Sequence, residues 1–193
     1  RYQHEERGRE AGELISRRTK FNLTTNPLDT TYDQEGFSMW SLLWIVAGLV
    51  IGSFVEWIAH RYVLHNFNLK ELSRSHFSVH HRNSRKNGCL DVDYLTFPPT
   101  KYTSGLGEII MLGLLALLVL PLLWYNTSLW AGLTIHILLY YYMHRKFHLD
   151  PEWGKRWMRW HWDHHMGADQ NVNWGVTNPL FDYVLGTRKL YTD

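Results

Sequence analysis

The chain has 193 residues, of which 45% are hydrophobic and 20% charged, which suits one domain with its own core and excludes an intrinsically disordered protein. Its 20 basic residues against 18 acidic ones leave a formal charge of +2, too balanced to predict a nucleic-acid partner. The single cysteine, Cys89, excludes a disulfide framework and a cysteine-rich zinc module.

Three apolar stretches predict helices that enter or cross a membrane. The first, 39–59, carries a single charge, Glu56, and is long enough at about 1.5 Å per residue to cross the hydrocarbon core. The second, 106–125, has its one charge at its start, and the third, 128–143, contains His136 and three consecutive tyrosines. Only two residues separate these two stretches, which predicts a tight helical hairpin. The alternative is a buried hairpin in a soluble protein. The high apolar content of these two neighbouring stretches disfavours that alternative.

The polar segments at 60–105 and 144–193 hold seven basic residues each, whereas the turn of the predicted hairpin holds none. The positive-inside rule therefore predicts that both segments are cytoplasmic and form a helical cap on the membrane helices. Residues 1–37 form a separate polar segment, whose six basic residues conflict with this orientation if 39–59 crosses the membrane fully. Two explanations of this conflict stay open: the segment lies along the membrane surface, or a further helix precedes it. Residues 38–193 are predicted to form the membrane domain.

Ten of the twelve histidines lie in the two polar segments, in four clusters next to predicted helix ends. Imidazole is the commonest transition-metal ligand, and ligands three or four residues apart on a helix project from one face. The sequence therefore predicts that all ten are metal ligands. They are His60 and His65; His76, His80 and His81; His144 and His148; and His161, His164 and His165.

The number of histidines predicts two metal ions, because a single zinc site uses three or four ligands. On an ideal α-helix His60 and His65 lie about 140° apart, so they reach one ion only if the helix ends or unwinds between them, and otherwise reach different ions. An all-histidine shell suits borderline metals, with iron the candidate for oxygen chemistry and zinc able to substitute. We therefore predict an all-α integral membrane protein with a cytoplasmic helical cap that holds a histidine-rich dimetal site.

From Glu56 to its end, the sequence resembles the fatty acid hydroxylase and sterol desaturase superfamily of membrane di-iron enzymes, and within it most the fatty-acid 2-hydroxylases. HRYVLH, HRKFH and HWDHH match the first, third and fourth histidine boxes of that group, and Phe97-Pro98-Pro99 and GVTNPLFDYVLGT are also similar. The second box, HFSVHH, has three residues where the family has two, so the family's ligand position falls on Phe77. We predict that a wider helical turn lets His76 fill the missing place, and helical geometry also pairs His76 with His80.

The resemblance implies two iron ions, O2 as co-substrate and hydroxylation of a C–H bond in a fatty acyl chain or related lipid. It also implies a separate electron donor of the ferredoxin or cytochrome type, because residues 1–37 are too few for a fused haem domain. Desaturation and a sterol or carotenoid substrate stay open, since one oxidant can lead to either product. A membrane protein that binds or transports zinc is the alternative from another class. Transporters place such ligands at mid-membrane, whereas here only His136 lies within an apolar stretch.

Four further polar residues have predicted roles. Glu56, one helical turn before His60, either orients that ligand or is a carboxylate at the wet end of a membrane helix. We expect His136 to be a hydrogen-bonded packing residue. Asp163 is expected to point away from the metal ligands, and Asp182 to belong to a turn and its cap.

Overall fold

The structure is a computed structural model that describes residues 38–97 and 104–191. Every regular element in these ranges is helical, which confirms the predicted all-α fold. The predictions for residues 1–37 and for Pro98-Pro99 lie outside the described residues.

The first apolar stretch forms α1, Met39–Ala59, which continues without a break into a π-helical turn at His60–Leu64. α2 (Lys70–Ser73) and α3 (Arg82–Lys86) flank a second π-helical segment, Arg74–His81. A 3₁₀ turn at Val92–Tyr94 follows.

The second apolar stretch forms α4, Ser104–Val119, and the short α5, Leu122–Tyr125. Pro121 separates them because it lacks the N–H that would continue the helical hydrogen bonds. Two helical spans of the described chain, Met39–Leu64 and Gly105–Tyr125, are long and apolar enough to cross a membrane. Only 6% of the second span is buried within the protein, so most of its side chains require an apolar surrounding.

The third apolar stretch lies in a longer helix, α6, Thr127–Leu149. α6 is not one of the two described spans that are long and apolar enough to cross a membrane, because it continues into charged and histidine-rich sequence. The Asn126 side chain caps its start by accepting a hydrogen bond from the backbone N–H of Leu129 (2.9 Å). Since α6 extends to Leu149, it carries His144 and His148 on the same helix as the third apolar stretch.

α1 and α6 pack in direct backbone contact. A Cβ atom at Gly132 would lie 2.2 Å from the carbonyl oxygen of Ile45, and one at Gly48 would lie 2.7 Å from the carbonyl oxygen of Leu129. Small residues permit this close approach between two helices. The packing fixes the ends of α1 and α6, from which two of the histidine clusters project.

The C-terminal part of the cap comprises α7 (Pro151–Trp157), α8 (Arg159–Met166) and α9 (Leu180–Val184). The Asp150 side chain caps α7, and Pro151 occupies its first turn. A buried cluster joins α7 and α8 to α6, and it comprises Cys89, Tyr140, Phe147, Met158 and Val176. The histidines lie beside this cluster, where burial keeps water from their rings.

Candidate metal centre

Nine of the ten predicted histidines come together in two groups, within each of which the candidate ligand nitrogens all lie within 4.8 Å of one another. We call these sets the five-histidine group and the four-histidine group. The former contains His60, His65, His76, His81 and His164; the latter contains His80, His144, His148 and His165. All nine side chains are buried.

The two π-helical segments explain how the histidines are divided between the groups. In a π-helix the hydrogen bonds join residues five apart, as between the N–H of His65 and the carbonyl of His60 (3.2 Å), so residues five apart share a face. His60 and His65 consequently belong to one group, because the helix unwinds between them.

The wider turn predicted for the second histidine box is present over Arg74–His81, and it brings His76 into the five-histidine group. The predicted pairing of His76 with His80 is wrong. His80 belongs to the four-histidine group, and the partner of His76 on the π-helical face is His81, five residues on. The pairing assumed an α-helix, in which residues four apart share a face.

α8 supplies both groups from one helix, with His164 in the five-histidine group and the adjacent His165 in the other. The groups also touch, since the rings of His81 and His165 stack with their centroids 4.3 Å apart. His161 belongs to neither group, although its Nε2 lies 3.2 Å from the Nε2 of His165. A ligand role for His161 stays a prediction.

Three members of the four-histidine group are held by hydrogen bonds from their outer ring nitrogens. His80 donates from Nδ1 to Asp91 (2.8 Å), His144 to Glu108 (2.9 Å) and His148 to the carbonyl oxygen of Cys89 (2.7 Å). The Nε2 atoms of all three rings are buried and have no hydrogen-bond partner. Each bond fixes the tautomer and turns the Nε2 lone pair inward, which is the arrangement of metal-bound histidines.

In the five-histidine group backbone carbonyls hold two of the rings. His60 donates from Nδ1 to the carbonyl of Trp174 (2.6 Å), and His164 donates to that of Val172 (2.8 Å). The Nε2 atoms converge, with 3.0 Å between those of His60 and His76 and 3.2 Å between those of His81 and His164. Converging lone pairs repel one another unless a cation or a proton lies between them, so this group also fits a metal ion.

Burial keeps several histidines of the cap in the neutral form that binds metals. It lowers the pKa of His65 to about 2, with the neighbouring His164 and His80 adding to the effect. Burial is also the main reason why the pKa of His164 is lowered to about 4. The pKa values of His76, His81 and His148 fall below the usual 6.5 for the same reason.

Glu56 does not orient His60, one of its two predicted roles. Its buried carboxylate accepts hydrogen bonds from the backbone N–H groups of Val176 and Thr177 and from the Nε2 of His136 (3.1 Å). It therefore ties α1 to α6 and to the segment after α8. The same bond confirms His136 as a hydrogen-bonded packing residue.

The prediction for Asp163 is confirmed. The prediction for Asp182 is wrong, because Asp182 lies within α9, whose start has no side-chain cap. Asp163 pairs with Arg159 (2.8 Å) and Arg188 (3.2 Å) rather than with a histidine. Asp182 accepts hydrogen bonds from the N–H groups of Trp174 and Gly175 (2.8 Å each). Because the carbonyl of Trp174 holds His60, Asp182 supports that histidine indirectly.

The sequence reading missed the carboxylates Asp91 and Glu108. A signal existed for Glu108, because an ionisable residue at the start of an apolar helix is costly unless it has a partner. No comparable signal marked Asp91, which lies in a polar segment, or the Cys89 carbonyl, whose position depends on an uncommon left-handed backbone at that residue (φ 73°).

An apolar cavity of about 240 Å³ lies between α1, α4 and α6 and reaches His60. A second cavity, of about 30 Å³, is lined by His76 and His144, one histidine from each group. The two cavities share Leu64, Met111 and Tyr140 in their walls. The two cavities are therefore neighbours, and together their walls include members of both groups.

Comparison with known proteins supplies the family. No curated protein and no solved structure matches the chain significantly. Residues 45–187 match the fatty acid hydroxylase family, a range that includes the ten clustered histidines, the carboxylates that hold them and both cavities. The particular likeness to fatty-acid 2-hydroxylases stays a prediction. The match over residues 45–187 shows that the chain belongs to the fatty acid hydroxylase family.

Proposed function

We propose that this protein is a membrane-bound di-iron oxygenase that hydroxylates a C–H bond of a fatty acyl chain or related lipid. The reaction is R–H + O2 + 2 electrons + 2 H⁺ → R–OH + H2O, with the electrons supplied by a separate donor. The observation that carries the proposal is the pair of touching histidine groups at the inner end of an apolar cavity. Membership of the family supports the same reaction class.

One iron would be held by the five-histidine group and the other by the four-histidine group, with His161 within reach of the second. Iron bound there supplies the activation of O2 and the electron changes that hydroxylation requires. The protein holds the rings in place through Asp91, Glu108 and the backbone carbonyls of the cap. Such partners typically change metal affinity or activity by about 10 to 100-fold when they are removed.

The apolar cavity is suited to an alkyl chain. Its walls include Val55, Leu112, Leu115 and Ile137, which offer contacts to methylene groups and no strong competing hydrogen bonds. Tyr140 lies where this cavity meets the smaller one beside His76 and His144. A chain entering from the membrane would thus be directed toward the histidines.

The outward-facing apolar side chains support a position in the membrane. On α4, Leu114, Leu117 and Leu118 are between 61% and 75% exposed. Such an apolar surface is unfavourable in water and is stabilised by contact with lipid. The cap then lies at one side of the bilayer, and its basic residues favour the cytoplasmic side.

Desaturation and a sterol or carotenoid substrate would use the same centre, and the cavity alone does not favour one of them. Zinc transport has less support. His136, the histidine in the middle of an apolar helix, is bonded to Glu56 and lies outside both histidine groups, so it does not extend them into a path across the membrane.

The proposal is tested by lipid analysis of cells that express the full chain or its His148→Ala variant. Active protein should produce lipids heavier by one oxygen atom, and the variant should not. Loss of two hydrogens instead would identify a desaturase. Lipid profiles that do not differ between the two cell lines, with both proteins present in the membrane, would contradict the proposal.

A further inference from the structure

A groove of about 450 Å³ opens on the surface of the cap next to the five-histidine group. It is lined by Arg82, Arg85 and Lys86, together with Phe77, Ser78, His81 and Gln170. The three basic side chains are exposed, and none of the described residues that line the groove is acidic. The groove is therefore positive and attracts negatively charged partners.

The basic residues share one helix face. Arg82 and Lys86 are four residues apart on α3, and Arg85 lies three residues after Arg82, so their side chains project in similar directions. Arg85 is anchored, since it donates hydrogen bonds to the carbonyls of His165 (2.8 Å) and Gly167 (2.9 Å). The positive face is thus fixed to the helix that carries histidines of both groups.

The inner wall of the groove is the ring of His81. Its Nδ1 lies 2.9 Å from the Nε2 of Gln170, which also lines the groove, whereas its Nε2 points inward and lies 3.2 Å from that of His164. The ring also stacks on His165, in the four-histidine group. One member of the five-histidine group therefore lines the groove directly and also touches the other group.

The groove and the apolar cavity lie at different members of the five-histidine group. His60 borders the cavity and His81 borders the groove, and the described linings of the two have no residue in common. A lipid chain in the cavity would consequently leave the groove open to a second partner.

We propose that this groove is the docking site of an acidic, one-electron carrier protein. The inference rests on the proposed function, because each hydroxylation consumes two electrons and two protons along with O2. Two carrier molecules, each oxidised by one electron, supply the pair; one oxygen atom enters the C–H bond and the other leaves as water. Docking at the groove would place the carrier beside His81, a member of the five-histidine group.

The same positive charge would attract an anionic lipid headgroup, but the groove is less suited to a lipid than to an acidic protein. Phe77 is the one large apolar side chain among the described residues that line it, so an acyl chain would find little surface to cover. The exposed apolar surface is instead found on α1 and α4. An acidic protein needs only charge complementarity and a position beside His81, and the groove offers both.

The test measures binding of an oxidised, acidic plant-type [2Fe–2S] ferredoxin to the full chain in nanodiscs of zwitterionic lipid. At low salt we expect the double variant Arg82→Glu/Lys86→Glu to bind at least about tenfold more weakly than the unchanged protein, and added salt to reduce the difference. Arg85 is left unchanged because it holds the cap. Arg156→Glu is the matched control, since Arg156 is an exposed basic residue on α7 outside the groove, and it should bind ferredoxin normally.

Metal content is measured on each variant, so that a misfolded cap is recognised. Equal ferredoxin affinity in the double variant and the unchanged protein would overturn the proposal, as would equal weakening by Arg156→Glu. If the double substitution instead weakens binding to vesicles containing phosphatidylglycerol and leaves ferredoxin binding intact, the groove binds headgroups and the proposal is wrong. Because oxidised ferredoxin binds without turnover, a protein that binds it at the groove yet forms no oxidised lipid would contradict the hydroxylase function alone.

Discussion

Glu108, in the first turns of α4, accepts a hydrogen bond from the Nδ1 of His144 on α6 at 2.9 Å. The Tyr94 hydroxyl donates to the other oxygen of the same carboxylate at 2.5 Å. A buried carboxylate with two donors is held in one orientation, and it orients His144 in turn. One of the helices apolar enough to cross a membrane is thereby joined directly to the candidate metal centre.

The Glu108→Gln variant should weaken metal binding by the four-histidine group by about 10 to 100-fold, because an amide is a poorer acceptor for the imidazole N–H. The five-histidine group should keep its affinity, since Glu108 holds none of its rings and two of them, His60 and His164, are held by backbone carbonyls. Titration of the metal-free protein with Co²⁺ measures both affinities. Glu152→Gln, at an exposed carboxylate on α7, is the control, and a Glu108→Gln protein with two unchanged affinities would contradict the assignment.

His76→Ala and His80→Ala should each lose one of two metal ions, and not the same one. His76 belongs to the five-histidine group and His80 to the four-histidine group, because the segment between them is π-helical. Metal analysis and Co²⁺ spectra of the two variants distinguish the lost sites. Val79→Ala, which shortens a partly exposed side chain in the same segment, should retain both ions. A His76→Ala protein with two ions would show that His76 is not a ligand.

Much of this arrangement could be predicted from the sequence, but the division of the histidines could not. The apolar stretches and clustered histidines directly indicated membrane helices and two metal ions. The division depends on whether the backbone N–H groups in His60–Leu64 and Arg74–His81 donate to the carbonyl four or five residues earlier in the chain. The local sequence does not determine which of the two patterns forms. Tertiary contacts decide it, such as the bond that joins His60 to the carbonyl of Trp174. The partners Asp91 and Gln170 likewise become neighbours of histidines only in the folded chain.

The metal-free protein should lose stability as the pH falls below about 6.5. Burial lowers the pKa of His65 to about 2 and that of His164 to about 4, so the folded state stays neutral at these positions while the unfolded chain takes up protons near 6.5. The unfolded state then binds more protons, and the free energy of unfolding falls with decreasing pH. Thermal unfolding after chelation, followed between pH about 7.5 and about 5, measures this. A melting temperature that stays constant over the range would contradict buried neutral histidines.

Gly132→Ala should destabilise the membrane helices by about 1–3 kcal/mol, because the added Cβ would lie 2.2 Å from the carbonyl oxygen of Ile45. Gly113→Ala on α4 is the matched control, since no atom other than those of its chain neighbours and of the nearby backbone of its own helix lies within 4 Å of a Cβ added there. Helix propensity predicts a neutral or slightly stabilising effect. Thermal unfolding in detergent compares the two variants. Equal melting temperatures for both would show that α1 and α6 do not depend on this close packing.

The most direct test of the hydroxylase function is the mass of the lipid product formed under ¹⁸O2 by the purified, iron-loaded protein in nanodiscs, with chemical reductant and an acyl lipid supplied. We predict a product that contains one ¹⁸O atom in a new hydroxyl group, and no such product from His148→Ala. A product without ¹⁸O, or a lipid that stays unchanged while the protein holds two irons, would contradict the function.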